Sequence, residues 1–365
     1  MSSSAIAQTL PIGDLGTPFG SKPRYLGVCF GLLLACGLLL LLELTIGSVQ
    51  VPLHQVIRAL TGAEVDREAW ARIVLLFRLP RAVNAILSGA ALGACGLMLQ
   101  TLFRNPLADP YVLGLVHGAR LGVALTVVFS GLAGATFSAR YGMVGEAGMA
   151  IAAALGSALV MLCILAVSRR VSTVTLLIVG LMFGYLAQGL ISVAMHFTDD
   201  GQARVFESWN DGSFGGITRS QLQLLAPTVL LGLASIGGLV KPLNALLLGE
   251  NYARTVGLPI HRARIACFAV ISLLSGAVTA FCGPIAFLGI IVAHLCRNLF
   301  GTADHRTLLP GVALMGAAIA LMADLVTHLP WSKHFLHLNA VNGLIGAPIV
   351  LWVILRRKNA RSLEL

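Results

Sequence analysis

Charged side chains are scarce in this sequence: Asp, Glu, Lys and Arg supply 11% of its 365 residues, against about a quarter in a soluble domain. The hydrophobic class makes up 57% and mean hydropathy is +0.88, so water is not the main solvent. A bilayer core about 30 Å thick needs about 20 mostly apolar residues per helix, which leaves room for about ten spans and for no sizeable soluble domain.

Lysine is scarcer still. Lys22, Lys241, Lys333 and Lys358 are the only four, and none follows a glycine, so G-x-x-x-x-G-K-[S/T] cannot occur and the chain has no phosphate-cradling loop of its own. Any ATP must be hydrolysed by a partner. H-E-x-x-H, G-x-S-x-G and paired carboxylates are missing too, which leaves catalysis without a seat. The seven cysteines lie in apolar runs without a C-x-x-C and read as small buried hydrophobes, not disulfides or zinc ligands. No stable metal site and no bound cofactor are expected. The formal charge of +10 comes without a basic helix or an aromatic RNA platform, which argues against nucleic acid. In a membrane protein such charge belongs in cytoplasmic loops and at headgroup level.

Apolar runs and their Gly, Pro or charged punctuation predict helices near 25–47, 82–102, 111–130, 143–167, 174–197, 221–240, 265–282, 285–300, 308–328 and 339–355. The chain then divides into a cytoplasmic tail (1–22), one transmembrane domain (23–358) and a cytoplasmic C-terminal tail (359–365). Lys/Arg bias places the N-terminus inside. Five arginines on the outer side, Arg58, Arg67, Arg72, Arg78 and Arg81, run against that bias. Glu64, Asp66 and Glu68 offset some of them, but Arg78 and Arg81 have no acid nearby in sequence, which suggests an acidic partner.

Ser88-Gly89-Ala90 precedes Cys95-Gly96 in span two, and Ser275-Gly276-Ala277 precedes Cys282-Gly283 at the same spacing in span seven. Five helices apart, these spans run in opposite directions, as an inverted repeat of helices 2–5 and 7–10 requires. Gly89 and Gly93 form a G-x-x-x-G, which favours close helix packing. Outside the spans, Asn105-Pro106-Leu107-Ala108-Asp109-Pro110 reads as a sharp inter-helix turn. Leu248-Gly249-Glu250 through Val256-Gly257-Leu258-Pro259 reads as a short polar helix closed by glycine and proline.

R-L-P-R (78–81), S-G-A-A-L-G-A-C-G, N-P-L-A-D-P-Y-V-L-G, L-G-E-x-x-A-x-x-V-G-L-P, F-L-G-I-I-V-A-H-L-C-R and D-H-R-x-L-L-P-G occur in this order. Together they resemble the FecCD-type permeases of type II ABC importers for haem, ferric siderophores and cobalamin. The resemblance implies an all-α membrane protein of the bacterial inner membrane. It also implies a second copy of the chain enclosing a central path, two cytoplasmic ATPases holding ATP and magnesium, and a periplasmic binding protein. Position by position, Arg78 and Arg81 match arginines that receive acids of the binding protein, with headgroup anchoring as the plainer reading. Glu250, Ala253, Arg254, Gly257 and Leu258, within a segment of about 246–264, match the helix that docks on the ATPase. Asn105 and Leu107 match part of the cytoplasmic gate. Ser172 and Thr173 match the turn into span five, where helix capping is an equal explanation. Trp209 to Phe214 resembles the external segment after span five, with Asp211 where an apolar residue is usual.

Ionisable residues inside a membrane are costly and point to function. His117 and Arg120 lie one turn apart in span three, Met195 and His196 close span five, and Tyr185 sits in the same span. His328, His334 and His337 surround the outer ends of spans nine and ten. Imidazole and thioether ligate iron, and a guanidinium grips carboxylates in a fork. The set favours haem, then a ferric siderophore, then cobalamin, while single histidines that only satisfy backbone carbonyls remain the plain alternative. Asp324 and Glu146 read as pairing within the bundle. A rival class, an ion-coupled secondary transporter, would draw on Arg120 and Asp324 near mid-membrane.

Overall fold

In the computed structural model, the described residues are 22–132, 137–168, 170–171, 173–328 and 336–361, with side chains for all of these except 22–24, 130–132, 137–147, 173–174 and 353–361. They form helices joined by turns, with no strand among them. α1 (Lys22–Thr45) is followed by two short outer helices, α2 (Leu53–Thr61) and α3 (Glu68–Arg72). A widened turn at Ile73–Arg78 then leads into α4 (Leu79–Leu102). Pro80 falls at the start of α4, directly after the widened turn, and has no N–H to donate back into it. The chain continues through α5 (Leu115–Leu132), α6 (Phe137–Val167), α7 (Thr173–His196) and the outer helix α8 (Asp200–Asn210). Next come α9 (Arg219–Ile236), α10 (Val240–Leu247), the short α11 (Glu250–Thr255), α12 (Ile260–Cys282), α13 (Leu288–Phe300), α14 (His305–Thr327) and α15 (Leu338–Arg361).

Seven stretches are long and apolar enough to cross a bilayer, and three shorter apolar helices cover Leu115–Phe129, Leu288–Phe300 and Leu338–Trp352. Each of the ten expected spans therefore has its helix. The boundaries shift for local reasons. The sixth span continues past its expected end, because α10 follows α9 after a single tight turn at Gly237–Leu239. The eighth starts late, because Phe287 takes a left-handed φ of 66° and opens α13 only at Leu288. The outer helices α2, α3 and α8 were not expected from the apolar pattern.

α4 is the hub, buried along nearly its whole length between α12, α13 and α14. Glycine permits this. A Cβ on Gly89 would strike the backbone of Gly316 in α14, and one on Gly96 would strike Gly289 in α13. The second G-x-x-x-G residue, Gly93, faces Val292 and Val312. A second fused pair joins α5 to α6 through Gly118 and Gly156. Lipid gives helices no hydrophobic reason to associate, so such close backbone contact supplies the dispersion energy that holds them together.

Candidate functional site

At the outer end of the bundle, Arg81 on α4 donates from Nε and Nη2 to the two carboxylate oxygens of Asp324 on α14, both at 2.7 Å. Glu43 at the end of α1 stands 3.9 Å from the same guanidinium. Arg78 donates to the carbonyls of Leu44 and Val49, which pins the chain leaving α1. The acid-free reading of these arginines is thus corrected for Arg81. Its acid arrives from a helix 243 positions away, a pairing invisible to local sequence. Asp324 pairs inside the bundle as expected, whereas the side chain of Glu146 and all of His334 lie outside the described residues. Among the other outer arginines, Arg58 pairs with Asp66 at 3.2 Å and Arg72 with Glu68 at 2.7 Å. Glu43, Asp324 and His328 have ligand atoms close enough for one ion, but the Arg81 guanidinium, bidentate on Asp324, already supplies that carboxylate's counter-charge. Arg81, Asp324 and His328 border a cavity of about 800 Å³, with Trp209, Asp211 and His337 on its other walls.

α7 carries the most informative surface. Met182, Tyr185, Gln188, Ser192 and His196 recur every three or four residues and are all exposed, so they form one stripe along the helix. Leu186, Leu190, Val193 and Phe197 make an apolar stripe beside it. Lipid suits the second stripe and penalises the first. Of the residues singled out in sequence, Tyr185 and His196 lie on the polar stripe. Met195 turns inward and packs with the cluster around Ile191 and Phe206. His117 lies behind α7, edge-on to Tyr111 at 4.9 Å, and its Nδ1 faces Gly184 without a hydrogen-bond partner. Arg120 reaches past it, donating from Nη1 to Gln188 at 2.8 Å and from Nε to Asn210, the last residue of α8, at 2.6 Å. Arg120 and Asp324 therefore belong to separate networks.

On the inner side, Asn105 accepts from the Leu107 N–H at 2.9 Å, closing the turn that the two prolines and the Asn and Asp announced. His294 on α13 holds this turn from outside, donating from Nε2 to the Pro106 carbonyl at 2.9 Å. Leu107 remains exposed at its tip. Leu113 and Gly114, at the end of the same connection, touch Gly180 of α7. Ser172 lies outside the described residues, and Thr173 is the first residue of α7.

The segment between α10 and α12 is anchored twice. Glu250 accepts from Arg264 at 2.6 Å, and Arg264 also donates to the Ser168 carbonyl below α6. Asn244 on α10 donates to Asp304 at 2.6 Å and accepts from the His305 N–H at 2.9 Å, while His305 in turn meets Thr101 of α4. Ala253 is fully buried, so the outward face of α11 belongs to Tyr252 and Arg254, with Gly257 beyond it and Leu258 half-buried. Leu248 before α11, Tyr252 on it and Val256 at its C-terminal end make a row of exposed apolar side chains along this segment. Motif reading missed this row, although its spacing was there to be read.

The model of the FecCD transport family matches residues 33–356. The chain belongs to the FecCD transport family. One FecCD relative, the hemin transport system permease protein HmuU of Yersinia pestis, is 35% identical over 338 residues, covering 91% of this chain and 97% of that protein. The vitamin B12 import system permease protein BtuC of Escherichia coli (strain HS) is 34% identical over 284 residues, covering 77% and 83%. A structure described as an inward-facing conformation of a metal-chelate type ABC transporter superposes with a TM-score of 0.79 at 25% identity, covering 91% of this chain and all of that one. This FecCD chain is accordingly a multi-pass inner-membrane permease subunit of a type II ABC importer, not itself an enzyme. It works with a separate ATPase and a binding protein.

Proposed function

We propose that two copies of this chain enclose a path along the polar stripe of α7 and pass an iron chelate from periplasm to cytoplasm, with haem as the favoured cargo. The stripe itself carries this reading: Tyr185, Gln188, Ser192 and His196 stay exposed on an otherwise apolar helix, where a water-filled path is a better neighbour than lipid. Met182 and His196 add thioether and imidazole, both iron ligands. A hemin permease and a vitamin B12 permease are almost equally similar to the chain, so the preference for haem over a ferric siderophore or cobalamin comes from these side chains.

The remaining parts then take roles. Asn105 and Leu107, with the Ser172–Thr173 entry to α7, form the inner gate. α11 docks on the ATPase through Leu248, Tyr252 and Val256, with Glu250 and Ala253 fixing its pose. The binding protein docks on the outer face at Arg78, which pins the chain leaving α1, and at Arg81, which is paired with Asp324. ATP closing the two ATPases moves the permease only by binding one of its states better than the other. The deciding experiment is uptake into vesicles holding the permease, its ATPase and its binding protein, offered haem, a ferric siderophore and cobalamin in turn. ATP-dependent uptake of haem alone supports the reading. Uptake of cobalamin alone removes the iron cargo.

A further inference from the structure

Arg120 on α5 is, among the described residues, the guanidinium bonded to the α7 stripe, and its partners are unusual for a charge at this depth. Gln188 is fifteen residues beyond the start of α7, which puts the bond about 22 Å from the inner end of that helix. A cation so placed normally pairs with a carboxylate or faces water. Arg120 instead donates to two neutral amide oxygens, those of Gln188 and Asn210. Among the described residues no carboxylate lies within ion-pair distance of it, and its Nη2 makes no hydrogen bond. The contrast with Arg81, which is neutralised by Asp324, is sharp. Amides satisfy the directional bonds of a guanidinium and leave its charge uncompensated.

We infer that Arg120, held by Gln188 and Asn210, is a receiving site for a carboxylate group of the cargo. Arginine presents a planar fork that grips a carboxylate with two parallel N–H donors. Nη2 is already available, and Nη1 becomes so when Gln188, on the exposed face of α7, swings aside. Asn210 keeps Nε occupied and fixes the plane of the fork. The site thus selects cargo by negative charge at the outer half of the path, before the inner turn is reached. This deepens the proposed function and rests on its assignment of the α7 stripe to the path.

The test uses the permease–ATPase complex in lipid nanodiscs without the binding protein, so that only the permease reads the ligand. Haem, haem dimethyl ester and ferric citrate are titrated against the wild type, Arg120→Gln and Arg120→Lys, with co-purification of the ATPase as the check on folding. The wild type should prefer haem over its ester by at least about tenfold, the factor one charge-assisted bond supplies. Arg120→Gln should erase that preference, and Arg120→Lys should keep part of it. If the preference persists in Arg120→Gln, or haem and ester bind the wild type alike, the inference is overturned while haem remains the cargo. If haem does not bind but ferric citrate binds in an Arg120-dependent way, haem falls and the carboxylate site stands. Binding of no carboxylate probe overturns both. Should Arg120→Gln fail to assemble, Arg120→Lys decides by the same comparison.

Discussion

Cys282 donates its thiol to the Asn84 side-chain oxygen at 3.2 Å, and its counterpart in the sequence echo, Cys95, donates to the Ile271 carbonyl at 3.7 Å. Asn84 precedes Ser88 by four residues, as Ile271 precedes Ser275. The two halves of the echo thus grip each other reciprocally, which requires α4 and α12 to cross antiparallel about a local two-fold axis. An inverted repeat predicts that relation. The contact places the repeat at the centre of the bundle, where neither half can be altered alone.

Helix fusion through glycine gives the first prediction. Gly89→Leu forces a side chain into the Gly316 backbone, an overpacking that costs about 1–3 kcal/mol or more. Gly31→Leu meets nothing within 4 Å. Thermal midpoints followed by size-exclusion of the detergent-solubilised protein should fall by several degrees for the first and stay level for the second. Equal midpoints would show that α4 and α14 do not meet at this point.

The outer ion pair gives the second. Asp324→Ala leaves the Arg81 guanidinium partly buried without its main counter-charge, a loss of about 3–5 kcal/mol for a buried pair. Arg81→Ala does the same to Asp324. The double variant should cost clearly less than the sum of the two, because it removes both charges. A double-mutant cycle on stability checks this, and strict additivity contradicts the pairing.

Coupling gives the third. Val256→Asp places a charge in the exposed apolar row of α11, and Glu250→Arg sets two guanidinium groups face to face beside Ser168. Both variants should insert in the membrane normally and lose co-purification with the ATPase. Normal co-purification of Val256→Asp would take the docking role away from that row.

Acidification gives the fourth. Burial, and after it the Arg81 guanidinium, hold His328 below the ordinary histidine range, with Asp324 opposing and Arg78 adding to the effect. The folded state therefore binds this proton more weakly than the unfolded chain. Its contribution to stability is complete above about pH 6.5, the unfolded value, and is lost as pH falls from there through the lower folded-state value. Between about pH 7.5 and about pH 5.5, the wild-type thermal midpoint should drop more steeply than that of His328→Gln. Parallel slopes would assign the effect to other groups.

What sequence made legible follows the range of each signal. Apolar runs report their own helix, so ten spans and the Asn105 turn could be read directly. Gly249 and Gly257, with positive φ angles of 108° and 82°, bracket α11 by local chemistry that a motif preserves. α2, α3 and α8 escaped because short amphipathic helices leave no run long enough to stand out. The partners of Arg81 and Arg120 escaped for a different reason: they lie 243 and 90 positions away, and charge pairing across a bundle depends on packing that one sequence does not display. His117 and Arg120, one turn apart, looked like a pair until the backbone of Gly184 proved to stand against the imidazole.

The double anchoring of α11 has a mechanical consequence. Backbone contacts weld α4, α13 and α14 into one plate, and α5 and α6 into another. Asn244 ties the inner loop to the first plate through Asp304 and His305, whereas Arg264 reaches Ser168 at the foot of the second. The loop is thereby tied to both groups of helices, so a displacement of it would reach both at once.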